Sequence, residues 1–193
     1  MVPVASIYVG GGLTLLAATF VFSGGPCVAG EEKPVGHWSG DENREQSVTD
    51  GSGHGSDGHS TGPLEVVEGV IGKAMAFTGR DDRVEVGHSE AINLGAEGQH
   101  YSISFWFRSS VLPEDIPDAH FITKMGTTYP FSLVQLASVL VQMRTYDGAT
   151  CPMIDSGLDL SDGGWHFVAG TRDGAKKRLR LYVDSILVSS GDD

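Results

Sequence analysis

The sequence predicts an all-β chain folded as a two-sheet antiparallel β-sandwich of the jelly-roll kind. Three observations point there. Hydrophobic residues recur with period two over many short segments, the spacing that puts alternate side chains on one face of a strand. Turn signals separate those segments: glycine supplies 27 of the 193 residues, about twice the usual ~7%. Asp147-Gly148, Asp162-Gly163-Gly164 and Asp173-Gly174 all favour left-handed or hairpin turns. No segment keeps a helical period between caps. The length suits one domain with one core.

The N-terminus reads as an address. No charged side chain precedes Glu31, and Ile7–Phe22 is dominated by apolar residues and glycine, most densely at Leu13–Phe22. Ser23-Gly24-Gly25-Pro26 then breaks any helix, and Cys27-Val28-Ala29 offers the small residues that a signal peptidase reads. Residues 1–29 are therefore expected to be a secretory signal cleaved near Ala29 or Gly30, or an uncleaved anchor. A membrane partner is expected only in the anchor case. Glu31–Pro63 is polar and glycine-rich, a linker by composition, although His37-Trp38 is out of place in one.

From Ala74 the alternation is clear. Ala74–Phe77 ends at Thr78-Gly79-Arg80-Asp81-Asp82, a turn, and Val84 and Val86 follow on one face. Tyr101, Ile103, Phe105 and Phe107 alternate with Ser102, Ser104, Trp106 and Arg108. Further strands are expected at 131–137, 139–145, 165–169 and 178–183.

Several stretches resemble the laminin-G-like domains of the concanavalin A-like lectin/glucanase group. Gly72–Val86 (GKAMAFTGRDDRVEV) is similar to that family's opening strand, Gly-x-Asp-Asp turn and second strand. Tyr101–Phe107 resembles its hydrophobic-Ser-Phe-Trp strand, Asp162–Ala169 (DGGWHFVA) its Asp-Gly-x-Trp-His strand, and Leu179–Asp184 (LRLYVD) its Leu-x-Leu-Tyr-Val-Asp strand. Val35–Trp38 and the loop Asp50–Gly58 resemble the family's first strand and glycine loop, which turns the apparent linker into part of the domain. The resemblance implies a concanavalin A-like jelly roll over 35–193, after a short linker at 30–34. Two departures stand out. Ser185 occupies a position where the family has glycine, and the family pattern continues for about one more strand pair beyond Asp193, so the last strands are expected to be missing.

The chemistry is sparse. Lys+Arg total 13 against 25 Asp+Glu, a net charge of −12, which argues against binding a nucleic-acid backbone. Lys176-Lys177-Arg178, the one basic run, reads as a solvated hairpin. Glycosidases on this sandwich need carboxylates two or four residues apart on one strand; no Glu-x-Asp occurs, and Asp81-Asp82 and Glu114-Asp115 are adjacent pairs that point to opposite faces of a strand. No Gly-x-Ser-x-Gly is expected on a strand-to-helix turn, so no catalytic residue is assigned and the chain is expected not to be an enzyme. Two cysteines, Cys27 and Cys151, cannot form a disulfide framework. His37, His54 and His59 lie close in sequence without the spacing of a zinc set, and His166 reads as a satisfied core or edge histidine. Calcium is the better metal candidate. Asp50 and Asp57, with serine oxygens and loop carbonyls between them, have the right donor types, and the resemblance implies an ion at such loops. Trp106 and Tyr182 fall on the outward register; they suit stacking on a sugar ring, while their place in the family motifs favours packing between the sheets. No ligand-contacting residue is assigned.

These readings lead to a secreted or cell-surface, non-catalytic recognition module, calcium-assisted if the loop holds an ion, with glycan or extracellular protein as partner. Two alternatives stay open: a structural spacer domain of a larger surface protein, and an accessory domain of a carbohydrate-active enzyme.

Overall fold

A computed structural model describes residues 5–8, 13–21, 34–43, 45–77, 82–94, 98–110, 119–124, 129–135 and 141–193. Every regular element among them is a strand. In chain order these are β1 (Ala5–Tyr8), β2 (Leu13–Val21), β3 (Gly36–Ser39), β4 (Ser47–Val48), β5 (Gly58–Ser60), β6 (Glu65–Glu68), β7 (Lys73–Phe77), β8 (Arg83–Val86), β9 (Tyr101–Ser109) and β10 (Ala119–Lys124). They continue with β11 (Tyr129–Gln135), β12 (Val141–Tyr146), β13 (Met153–Asp155), β14 (Trp165–Asp173), β15 (Arg178–Val183) and β16 (Ile186–Asp192). The first sheet runs β13-β12-β11-β10-β1-β8-β5-β4, and the second β16-β15-β14-β9-β2-β7-β6, with β3 also paired to β2. All the pairings are antiparallel.

The period-two segments form the strands expected of them, because each has one face to bury. Along β9, Tyr101, Ile103, Phe105 and Phe107 are buried while Ser102, Ser104, Trp106 and Arg108 stay half-exposed. The buried faces of the two sheets meet through aromatic rings. Phe107 of β9 lies 4.8 Å from Phe121 of β10, centroid to centroid, Phe105 lies 5.0 Å from the same ring, and Tyr101 lies 5.9 Å from Phe131. Such tilted and edge-on contacts add about 0.5–1.5 kcal/mol each beyond the burial of their area. The sheets approach so closely at Gly170 of β14 that a Cβ there would meet Met143 Sδ of β12 at 2.8 Å.

The polar segment after Glu31 is part of this core. Trp38 on β3 is 1% exposed, so the His37-Trp38 pair belongs to the sandwich and not to a linker. The N-terminal apolar stretch is also described as strands: β1 lies between β10 and β8, and β2 between β9 and β7. An uncharged apolar run has the composition of a leader and of a buried strand alike, which is why the sequence reading found only the first. Cys27 and the residues around the expected cleavage position lie outside the described residues. Among the described residues no helix is long and apolar enough to cross a membrane.

Candidate functional site

The Asp50–Gly58 loop joins β4 to β5 at the edge of the first sheet and is pinned to β3 of the second. Asp50 forms an isolated bridge with Trp38, and the Trp38 indole Nε1 donates to Ser56 O at 2.8 Å. Around this anchor the loop wraps onto one carboxylate. Asp50 Oδ1 accepts the amides of His37 (3.0 Å) and Ser52 (2.9 Å), and Oδ2 accepts that of Ser56 (3.0 Å). Asp57 Oδ1 accepts the amide of Asp50 at 2.8 Å. Asp50 is 6% exposed. Burial works to raise its pKa, but hydrogen bonds from Ser52 and from the amides of His37 and Ser56 outweigh it and hold the carboxyl below its ordinary value.

This donor arrangement fits a calcium ion poorly. Calcium takes several oxygens that converge on one point; here both Asp50 oxygens face amide N–H groups, and the Asp57 oxygen faces another. His54 and His59 are exposed, His37 is half-buried, and no three His, Cys, Asp or Glu side chains converge as metal ligands among the described residues. Asp81, Glu114 and Asp115 lie outside the described residues.

A second cluster joins the two C-terminal motifs. The His166 ring on β14 places Nδ1 2.9 Å from Asp184 Oδ2 and Nε2 3.1 Å from Asp162 Oδ1. Asp184 also accepts the Phe167 amide through Oδ1 at 2.8 Å, while its own amide donates to Phe167 O at 2.8 Å. Burial works to lower the His166 pKa, and the two carboxylates outweigh it and raise the value. Asp184 is held below its ordinary value, burial being outweighed by His166 and the Phe167 amide. Asp162 is held low by the Gly164 amide and then by His166. A histidine with both nitrogens engaged by carboxylates acts as a clamp between two turns. The turn it clamps has Asp184 at φ 49° and Ser185 at φ 70°, a left-handed pair of the kind found in tight hairpins, which explains why glycine suits the position of Ser185.

The third feature is the outer face of the second sheet. Trp165 and Phe167 of β14, Trp106 and Arg108 of β9, and Tyr182 of β15 are all half-exposed there. Trp106 sits 5.4 Å from Phe167, and the Arg108 guanidinium lies 5.0 Å over the Trp165 ring. The expectation that Trp106 and Tyr182 pack between the sheets is corrected: the register turns them away from the core, and Trp106 packs sideways on a cross-strand neighbour. The sequence reading missed Trp165 and Phe167 as members of this face, although their parity with Val168 was available. Elsewhere an open cavity of about 580 Å³ is lined by Asp41, Glu42, Asn43 and Thr49, but Asp41 Oδ1 accepts the Lys73 amide at 2.8 Å and Thr49 Oγ1 donates to Glu42 O at 3.2 Å.

Residues 78–193 match the family model described as the concanavalin A-like lectin/glucanases superfamily. The chain belongs to that superfamily. Domains of this superfamily often bind carbohydrates or proteins. The match begins just after β7, so the structure adds β1 to β7 to the sandwich ahead of the matched span. No curated protein matches the chain.

Proposed function

We propose that the chain is a non-catalytic recognition module of a secreted or cell-surface protein, and that it binds glycan through the outer face of its second sheet. The observation that carries this reading is the half-exposed strip of Trp165, Phe167, Trp106 and Tyr182, with Arg108 beside it. Aromatic faces present flat apolar surface with little side-chain entropy to lose, and they suit the C–H faces of sugar rings. The arginine supplies fixed donors for hydroxyl or carboxylate oxygens at the rim. The sheet holds these groups on a rigid frame. The two mapped acidic clusters are occupied by internal hydrogen bonds, which favours binding over catalysis as the use of this surface.

Retention of the full chain on a glycan array tests the reading, with Trp106→Ala and Trp165→Ala as variants. Binding to at least one glycan, weakened about tenfold or more by either variant at an unchanged melting temperature, supports it. Retention on no glycan, or binding indifferent to both substitutions, sinks it. An extracellular protein partner is the second form of the same reading; capture sensitive to the same two variants would favour it.

A further inference from the structure

We propose that the glycan bound by the outer face of the second sheet is acidic, a linear chain bearing carboxylate or sulfate groups, held by Arg108 at one end of the aromatic strip and by Arg180 at the other. The inference rests on the glycan reading above and names the ligand class for that surface. Register places the two arginines. Arg108 of β9 pairs with Trp165 of β14, and Arg180 of β15 pairs with Thr171 of the same strand. Each lies on the half-exposed register of its strand, Arg108 with Trp106 and Arg180 with Tyr182. Along β14 the surface therefore runs from Arg108 beside Trp165, through Trp106 beside Phe167 and Tyr182 beside Ala169, to Arg180 beside Thr171. The stretch of β14 from Trp165 to Thr171 sets the two ends about 20 Å apart at ~3.3 Å per residue.

The surrounding charges single these two groups out. In a chain with 25 acidic and 13 basic side chains, carboxylates outnumber cations, and other arginines are matched. Arg83 meets Glu85 at 2.6 Å, Arg172 meets Asp193 at 2.5 Å, and Arg178 meets Asp192 at 2.7 Å. Among the described residues Arg108 and Arg180 form no hydrogen bond and no ion pair. Arg108 has the Trp165 ring beneath it, and Arg180 acts on Asp173 through space. The carboxylates bordering the face already have cations of their own. Asp173 lies 3.3 Å from His100 Nδ1 and 3.6 Å from Lys176 Nζ, Asp192 holds Arg178, and Asp162 and Asp184 share the His166 ring. The aromatic strip thus ends on two guanidinium groups whose donors are left for a ligand. A guanidinium presents a rigid fork of N–H donors that matches an oxyanion in bidentate fashion, and its weak hydration makes it easy to bring into contact. A neutral glycan leaves both charges unmatched. An acidic one matches them, while the rings between them carry the C–H faces of its sugars.

Titration calorimetry of the full chain at low salt, with size-matched neutral, uronate-bearing and sulfated oligosaccharides, tests the inference. At least one acidic series is expected to bind about tenfold or more tighter than the neutral series, and the two acidic arms show which oxyanion is preferred. Arg108→Gln and Arg180→Gln should each weaken acidic ligands by about tenfold and leave neutral ligands unaffected, at an unchanged melting temperature. Lys177→Gln makes the same change of charge in the exposed turn before β15, and it should leave both series unaffected. Equal binding of neutral and acidic ligands, lost only in Trp106→Ala and Trp165→Ala, overturns this inference and leaves the glycan reading standing. An acidic preference that both arginine variants retain, or that Lys177→Gln erases as fully as they do, also overturns it. Binding to no oligosaccharide in any series overturns both readings.

Discussion

Asp50 and Asp184 do the same local job with different second partners. Each accepts a backbone amide from a neighbouring strand through Oδ1, His37 on β3 in one case and Phe167 on β14 in the other. Asp50 gives its other oxygen to a further amide, that of Ser56, whereas Asp184 gives it to the imidazole of His166. Amides do not titrate and imidazoles do. The first cluster is therefore a fixed part of the sandwich over the whole neutral and alkaline range, and the second is strongest while its two kinds of group keep opposite charge.

The sharpest way to break the comparison is to remove the carboxylates. Asp50→Ala leaves three amides, one on β3 and two in the loop, without their acceptor at a buried site, and about 3 kcal/mol of stability should be lost. For a chain of this size that is a fall of roughly 6–12 °C in melting temperature. Asp184→Ala, at an exposed turn where water replaces the lost acceptor, should cost about 1 kcal/mol. Thermal unfolding of both variants measures the difference, and equal losses would mean that the two sites are not distinguished by burial.

The pH dependence comes next. The folded pKa of His166 is raised above 6.5, so its contribution is complete below 6.5 and is lost as pH rises through the raised value. Asp184 and Asp162 are lowered below 3.8, so theirs is complete above 3.8 and is lost as pH falls through the lowered values. The clamp is strongest between those limits. Asp50 is also lowered and adds only to the acid side. Melting temperature followed across pH should decline on the alkaline flank in the parent chain, and His166→Gln should flatten that flank while leaving Asp50's acid-side loss in place. An alkaline decline that persists in His166→Gln would assign it to another group.

A smaller effect of opposite sign is expected at Ser185. Its φ of 70° is a conformation that costs a non-glycine residue about 1–2 kcal/mol, part of which glycine returns as greater freedom of the unfolded chain. Ser185→Gly should raise stability by about 0.5–1 kcal/mol, read as a higher midpoint of urea unfolding at unchanged slope.

Legibility in the sequence followed periodicity. β9, β14 and β15 were readable because each has one wet and one dry face over six residues or more. β4, β5 and β13, two or three residues long, give alternation nothing to repeat over, and β1 and β2 are uncharged and mostly apolar, a composition that a leader shares. At the sites, residue types were readable and partners were not. Asp50 and Asp57 stood out as loop carboxylates, but spacing does not tell whether a carboxylate meets a cation or an amide. The His166–Asp184 contact joins residues 18 apart, and it becomes visible only once β14 and β15 are placed in register.

The last comparison is between an amide and an ion as the partner of Asp50. If the loop amides already satisfy that carboxylate, calcium has little to add, and excess calcium against chelator should move the melting temperature by less than about 1 °C. A folded-state site occupied at a thousandfold excess over its dissociation constant would instead add about 4 kcal/mol, a rise too large to overlook. Asp57→Ala sharpens the test. Asp57 is exposed and, among the described residues, holds the Asp50 amide alone, so under the amide reading its loss costs little and changes no calcium response. A calcium-dependent rise that Asp57→Ala abolishes would mean that the ion displaces the amides, and that the loop has a second, metal-bound arrangement.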